Sequence, residues 1–354
     1  MNLLLNEPEI LDVPIADDER AEQKILVEFQ KPSELANYIP PAGFVLVGNY
    51  HIQKNAPFVI GGAPGVGKSR AAVALAVAGA TQQDWFGLKI HRPFKTMILQ
   101  TENGRVRLKN EFSEINCPTL DEFVRICPPP PLGFAFDLCA FRDQLRREID
   151  NFQPDVFILD PFNRLAHDDK AKDYKQAFDD LMTALPTGDD APAVGIVAHT
   201  RKPKTDERAS GRNALNMLAG SYILGSVPRA VFVMQAASDE TTENRVIWIC
   251  CKNNDGDLGS PSVWERCNGI FRPIENFDWN EFDAPSESRK SITEADIATL
   301  FENGNRKMIK NQAVQNLMEQ TGCKHAAAYN ALSLAGRFEN HLTQDENKLL
   351  IWKP

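Results

Sequence analysis

Between Gly62 and Ser69 the chain reads G-x-x-x-x-G-K-S, a spacing of glycines, lysine and serine that suits one kind of chemistry, the handling of phosphate. Glycines at these places let backbone N–H groups turn inward around phosphate oxygens with no Cβ in the way. Lys68 would reach the β- and γ-phosphates, and the Ser69 hydroxyl would bind Mg²⁺. Gly62, Ala63, Pro64, Gly65, Val66, Gly67, Lys68, Ser69 and Arg70 together would form the cradle for ATP. A glycine-rich turn with a chance Lys-Ser would show the same letters, so the flanks decide. Asp160 closes the run Val156-Phe-Ile-Leu-Asp, where a carboxylate would hold the same Mg²⁺ through water. An Asp-Pro step also suits a turn or a helix N-cap, and a phosphate loop upstream favours the metal role.

The loop has the context it needs. Phe58-Val-Ile is an apolar strand-like run, and Arg70 to Ala80 favours helix, with the helix N-terminus aimed at the anion. Further strand-like runs are Phe44–Val47, Thr96–Gln100, Val124–Ile126, Val156–Asp160, Ala193–His199, Ala230–Met234 and Val246–Cys251. Helical patterns cover 105–116, 141–151 and 172–185, and a short capped helix is expected near 32–38. Four apolar residues in a row before Asp160 predict a strand covered on both faces, as in a parallel sheet. The alternation from 58 to 200 predicts an α/β fold with a mostly parallel central sheet, followed by an antiparallel edge. Ligands of such sheets bind at the carboxyl ends of the strands. Ser69, Glu102, Asp160 and His199 all fall just past such runs, so four polar tips converge on one edge. Residues 201–220 begin basic, contain Gly and Pro, and read as a mobile loop.

The bounds set by composition are broad. The chain has 354 residues, a formal net charge of −9 and 43% hydrophobic residues, enough for one large domain with a core and a small second one. The acidic balance argues against a histone-like binder but not against a local DNA-contacting patch. Seven scattered cysteines without C-x-x-C spacing read as reduced cytosolic thiols, and no zinc site is expected. The N-terminal residues lack the basic start of a signal peptide, and no apolar run approaches the roughly 18 residues of a membrane span. A cytoplasmic location without a membrane partner is expected.

Residues 1–30 are acidic and read as an arm, 31–275 as the ATPase domain, 276–290 as a polar linker, and 291–354 as a small C-terminal domain. That last part predicts three short helices (292–302, 311–320, 325–338) and a hairpin over 341–353 turning at Asp345-Glu-Asn. Three helices and a hairpin make a winged helix-turn-helix, a DNA-binding form that also serves protein contacts. With nine Lys and Arg against eight Asp and Glu in 287–354, the tail is near neutral while the rest is acidic.

The runs GGAPGVGKS, MILQTENG, DVFILDP, VAHTRKP, VPRAVFVM and CKNNDGDLG resemble, in that order, the RecA-like ATPases of the RepA type. These are hexameric replicative helicases of plasmids and mobile elements, together with AAA-named relatives that have a RecA core. The resemblance covers about 31–275 and implies roles for matching positions. Glu102 corresponds to the carboxylate that polarises the attacking water, and His199 to the polar residue that senses the γ-phosphate and relays its loss to a DNA-facing loop. Arg229 and Lys252 match basic positions that reach across a subunit interface toward a neighbour's γ-phosphate. Asn253 and Asn254 depart from the basic and aromatic residues frequent in relatives, which weakens the role of that tip.

The resemblance implies an ATP- and Mg²⁺-dependent motor acting on single-stranded DNA as a homo-oligomer, a hexamer as in those helicases, serving as helicase or helicase loader in a mobile-element or phage replication system. A DNA-binding regulator switched by ATP, with little unwinding, is the alternative. A small-molecule kinase fits less well, because no arginine-rich lid precedes the tail.

Overall fold

Apolar, β-branched runs build the centre of the protein. The computed structural model describes residues 29–115, 117–166, 171–201, 209, 211–219, 222–238, 242–267, 270–279, 282, 292–302, 307–321, 323, 325–334, 336 and 338–353. The chain divides into two compact units, Met1–Ala42 and Gly43–Pro354. The expected ATPase start at residue 31 thus lies in the first unit. Of the acidic arm, residues 1–28 lie outside the described residues, as does most of the 276–290 linker. The first unit contains helix α1 (Pro32–Ala36), with Pro32 at its first position. Its N-cap is Lys31, whose N–H donates to the Glu34 carboxylate at 2.8 Å.

The second unit opens with a short antiparallel pair, β1 (Val45–Val47) and β2 (Ile52–Gln53). The large sheet follows: β3 (Pro57–Gly62), β4 (Thr96–Gln100), β5 (Val124–Cys127), β6 (Val156–Asp160), β7 (Ala193–His199), β8 (Ala230–Ala236), β9 (Arg245–Asn253), β10 (Ser262–Cys267) and β11 (Ile270–Pro273). Its order is β11-β10-β9-β8-β3-β7-β6-β4-β5. From β8 to β5 every neighbouring pair is parallel, and β9, β10 and β11 add the antiparallel edge. The fold is α/β with a mostly parallel central sheet, as the alternation of runs predicted. β3, which carries the phosphate loop, lies between β7 and β8 in the middle of the sheet.

Helices α2 (Lys68–Thr81), α3 (Arg105–Ser113), α4 (Leu120–Phe123), α5 (Cys139–Phe152), α6 (Ala171–Ala184) and α7 (Ile223–Ser226) connect the strands. Alternate strand residues face two apolar layers. Val59, Phe157, Leu159, Val194 and Ile196 meet α5 and α6 residues on one side. Phe58, Ile60, Ile158 and Val197 meet α2 on the other. α2 is buried nearly all round, which is why its sequence is alanine-rich rather than amphipathic. Gly79 lets it approach closely, since a Cβ there would lie 2.3 Å from the Phe94 ring. The turn after α2 buries Trp85, whose indole N–H donates to the Ala71 carbonyl at 3.0 Å. Phe86 stacks on Trp248 with centroids 4.1 Å apart, and Trp85 meets Trp248 edge-on at 4.8 Å. Such pairs add about 0.5–1.5 kcal/mol each beyond area burial, and here they fasten α2 to the antiparallel strands.

The loop expected over 201–220 is corrected in part. A 3-10 helix covers Gly211–Met217, with Ala214 and Met217 buried. Gln235 holds Ala209 through two hydrogen bonds, donating to its carbonyl at 2.7 Å and accepting from its N–H at 3.3 Å. Residues 202–208, the most basic part, lie outside the described residues.

The C-terminal part has its own apolar cluster, including Ile297, Leu300, Phe301, Val314, Leu317, Leu332 and Leu350. Helices Glu294–Glu302, Lys310–Thr321 and His325–Ala331 alternate with strands β12 (Lys307–Met308), β13 (Leu342–Gln344) and β14 (Leu350–Trp352). The third helix ends earlier than the predicted 338. The strands form an antiparallel sheet of order β12-β14-β13. Asp345 shapes the β13–β14 turn, its carboxylate accepting from the N–H groups of Asn347 and Leu349. Among the described residues, no helix is long and apolar enough to cross a membrane.

Candidate nucleotide-binding site

The parallel register brings the predicted tips together. Gly62 lies opposite His199 across β3 and β7, and Gln100 lies opposite Asp160 across β4 and β6. The phosphate loop leaves β3 at Gly62 and enters α2 at Lys68. Gly67 sits at φ 110°, where a side chain is strained, and a Cβ there would come 3.2 Å from Arg266 Cδ. The Thr200 N–H donates to the Gly62 carbonyl at 3.0 Å, tying the end of β7 to the start of the loop.

Lys68 is buried, and its Nζ donates to the Ala63 carbonyl at 2.9 Å. Burial pulls its pKa down to about 8, against the opposing pull of Asp160 and Glu102. Asp160 is 5% exposed at the tip of β6. Burial pushes its carboxyl up to about 6, although a hydrogen bond from Ser69 and the charge of Lys68 act the other way. Glu102, just past β4, is half-exposed and accepts from Arg164 Nε at 3.2 Å. His199 is held below its ordinary pKa by burial and then by Lys68. Its backbone N–H donates to Asn163 Oδ1 at 3.1 Å.

These charges fit a nucleotide carrying a divalent cation. Gln100 Oε1, Thr101 Oγ1 and His199 Nδ1 are buried without a hydrogen-bond partner, all at the same edge. A buried carboxylate with a raised pKa beside a serine hydroxyl is a donor set for a hard cation, and Ser69 with Asp160 could hold Mg²⁺. When bound, such an ion supplies neutralising charge across the phosphates. The N–H groups of the loop and Lys68 could hold the phosphate oxygens, and Glu102 could take the proton side of an attacking water.

Residues 28–204, half of the chain, match the family model described as the AAA domain. The chain belongs to the AAA-domain family. Its core is that of a P-loop ATPase, and ATPases of this family generally use ATP and Mg²⁺. No curated protein matches the chain. Among solved structures the AAA-domain chain is similar to a KaiC-like protein from the hyperthermophilic archaeon Pyrococcus horikoshii OT3, at 12% identity and a TM-score of 0.47. That match covers 67% of this chain and 96% of the other.

Not every expected site residue joins the cluster. Arg70 turns to buried Glu111, with Nε 3.8 Å from Oε1. Arg229 and Lys252 lie at the opposite edge of the AAA-domain sheet, where β3 begins: the Arg229 N–H donates to the Pro57 carbonyl, and Lys252 pairs with Val231. Arg229 Nη1 is 3.6 Å from Asp255 Oδ1. Lys252 Nζ donates to the carbonyls of Gly225 at 3.0 Å and Ser226 at 2.6 Å. Within one chain neither residue reaches Lys68 or Asp160. Four residues at the site had no signal in the sequence that set them apart: Gln100, Asn163, Arg164 and Arg266. Gln100 is a polar residue at the end of an apolar strand run, which is the closest thing to a signal.

Proposed function

We propose that this AAA-domain ATPase is a motor that hydrolyses ATP while acting on single-stranded DNA, as a RepA-like helicase or helicase loader, and that it works as a homo-oligomer. The observation that carries the proposal is the direct connection from His199 to the segment that follows it. His199 stands at the nucleotide edge, and its carbonyl accepts from the Ala219 N–H at 2.9 Å. Arg201 donates its own N–H to the Met217 carbonyl at 2.8 Å and its Nε to the Asn216 carbonyl at 3.1 Å. A shift of His199 on loss of the γ-phosphate would therefore be felt by a segment whose basic residues, Arg201, Lys202, Lys204, Arg208 and Arg212, suit a phosphate backbone.

The order helix, strand, helix, helix, strand, strand in the tail supports a winged-helix reading with duplex or partner contact. In an oligomer, Arg229 is the better candidate for a residue presented to a neighbour's phosphates, because its side chain is half-exposed while Lys252 is engaged by two carbonyls.

The test is ATP turnover by the full chain with and without single-stranded DNA, at low and at physiological salt. Turnover is expected to rise at least about tenfold with DNA, and the rise to shrink as salt increases. Slow turnover indifferent to DNA, with stable ATP-bound DNA complexes, would replace the motor with an ATP-switched regulator.

A further inference from the structure

The tip of the phosphate loop is held from outside by an arginine that lies 201 residues further along the chain. Arg266, at the end of β10, donates from Nη1 to the Gly65 carbonyl at 2.7 Å. The same guanidinium donates from Nη2 to the Glu243 carbonyl at 2.8 Å and from Nε to the Asn244 carbonyl at 3.3 Å. Its backbone N–H also donates to the Asn244 carbonyl at 3.0 Å. The turn before β9 is made firm in its own right: Glu243 accepts from Ser238 Oγ at 2.6 Å and from Arg245 Nε and Nη2 at 2.9 and 2.8 Å. A rigid antiparallel corner therefore presents a planar fork to the loop.

The loop needs such a hold. Gly65 sits at φ 78° with nothing within 4 Å of where a Cβ would be, so packing does not fix it. Its own ties are the Val66 N–H to Ala63 carbonyl bond at 3.3 Å and the Lys68 bond to the same carbonyl. We infer that Arg266 is a positioning residue for the nucleotide: it fixes the Gly65–Val66 peptide so that the loop's N–H groups face the phosphates before ATP arrives. A cation on the Gly65 oxygen also polarises that peptide and strengthens the Val66 N–H as the donor that closes the loop on the Ala63 carbonyl. Pre-organisation of this kind acts on binding, because the cost of ordering the loop is met before the ligand comes. Lysine is no substitute, since one ammonium cannot span the carbonyls of Gly65, Glu243 and Asn244 as the guanidinium does.

The inference rests on the reading of this loop as an ATP site. The experiment compares parent, Arg266→Ala and Arg266→Lys by titration calorimetry with Mg·ATP, steady-state hydrolysis and thermal melting. Arg266→Ala is expected to weaken ATP binding and raise KM by about tenfold to thirtyfold, with a smaller fall in kcat, as for loss of one charge-assisted hydrogen bond. Arg266→Lys is expected between the two, with a Tm close to the parent's. If Arg266→Ala binds Mg·ATP within twofold of the parent, the inference is overturned while the ATP site stands. If both variants lose KM and kcat in step with a lowered Tm, Arg266 is scaffold and the inference is likewise overturned. A parent that binds no nucleotide overturns the ATP reading itself.

Discussion

Glu102→Gln is expected to lower ATP turnover by about a hundredfold to a thousandfold while leaving ATP binding within about threefold of the parent. The carboxylate stands past the tip of β4, near enough to Lys68 and His199 to influence the titration of both. It is half-exposed, so water can reach it, and its link to Arg164 is a partly exposed ion pair of little cost to break. Glutamine keeps the shape and can still accept from Arg164, but it cannot take a proton from water. The two effects therefore separate: binding belongs to the loop and Lys68, and proton removal to Glu102. Phosphate release and equilibrium binding of ATP, measured on the same preparation, check the prediction. A variant that turns over within tenfold of the parent would assign water activation to another group.

Asp160→Asn is expected to move stability and activity in opposite directions. In the nucleotide-free protein, burial pushes the Asp160 carboxyl up to about 6 from an ordinary 3.8. The folded state therefore holds its proton more tightly than the unfolded state. The sign follows: stability from this group is fully present below about pH 3.8 and is lost as pH rises through about 6. At pH 7.5 the parent bears the cost of a buried charge, on the order of 1–3 kcal/mol, which asparagine removes. Nucleotide-free Asp160→Asn should thus melt higher than the parent at pH 7.5, with the gain vanishing near pH 4. Its Mg²⁺-supported hydrolysis should fall by about a hundredfold or more, because the buried charge is what a divalent cation would meet. Melting curves across pH 4–8, with a parallel Mg²⁺ titration of turnover, separate the two signs. A lower Tm at pH 7.5 would mean that the Ser69 hydrogen bond and Lys68 outweigh burial.

The parts of the site that lie on central strands were legible because burial leaves a pattern. A strand covered on both faces must be apolar along its length, so the polar residue that ends it stands out. Glu102, Asp160 and His199 stand out that way and Lys68 and Ser69 by the glycine–lysine–serine spacing, and the structure brings them to one edge. Arg266 was invisible for the converse reason. β11 is the edge strand and β10 its neighbour, both of mixed, partly buried residues with no clear period, and the contact with Gly65 depends on how the antiparallel corner folds back. Asn163 and Arg164 follow Asp160-Pro161 in what reads only as a turn, and their value comes from Glu102 and His199 on neighbouring strands. The 3-10 helix at 211–217 was hidden by Gly211 and Asn213, whose turn chemistry masked the buried Ala214 and Met217.

The most direct test of the account is phosphate release from ATP by the full chain, with and without Mg²⁺, beside Lys68→Ala. The account predicts Mg²⁺-dependent release by the parent and a loss of about a hundredfold or more in Lys68→Ala, since no other described cation lies buried inside the loop. Release by Lys68→Ala equal to the parent's, or a parent with none in either condition, would contradict it.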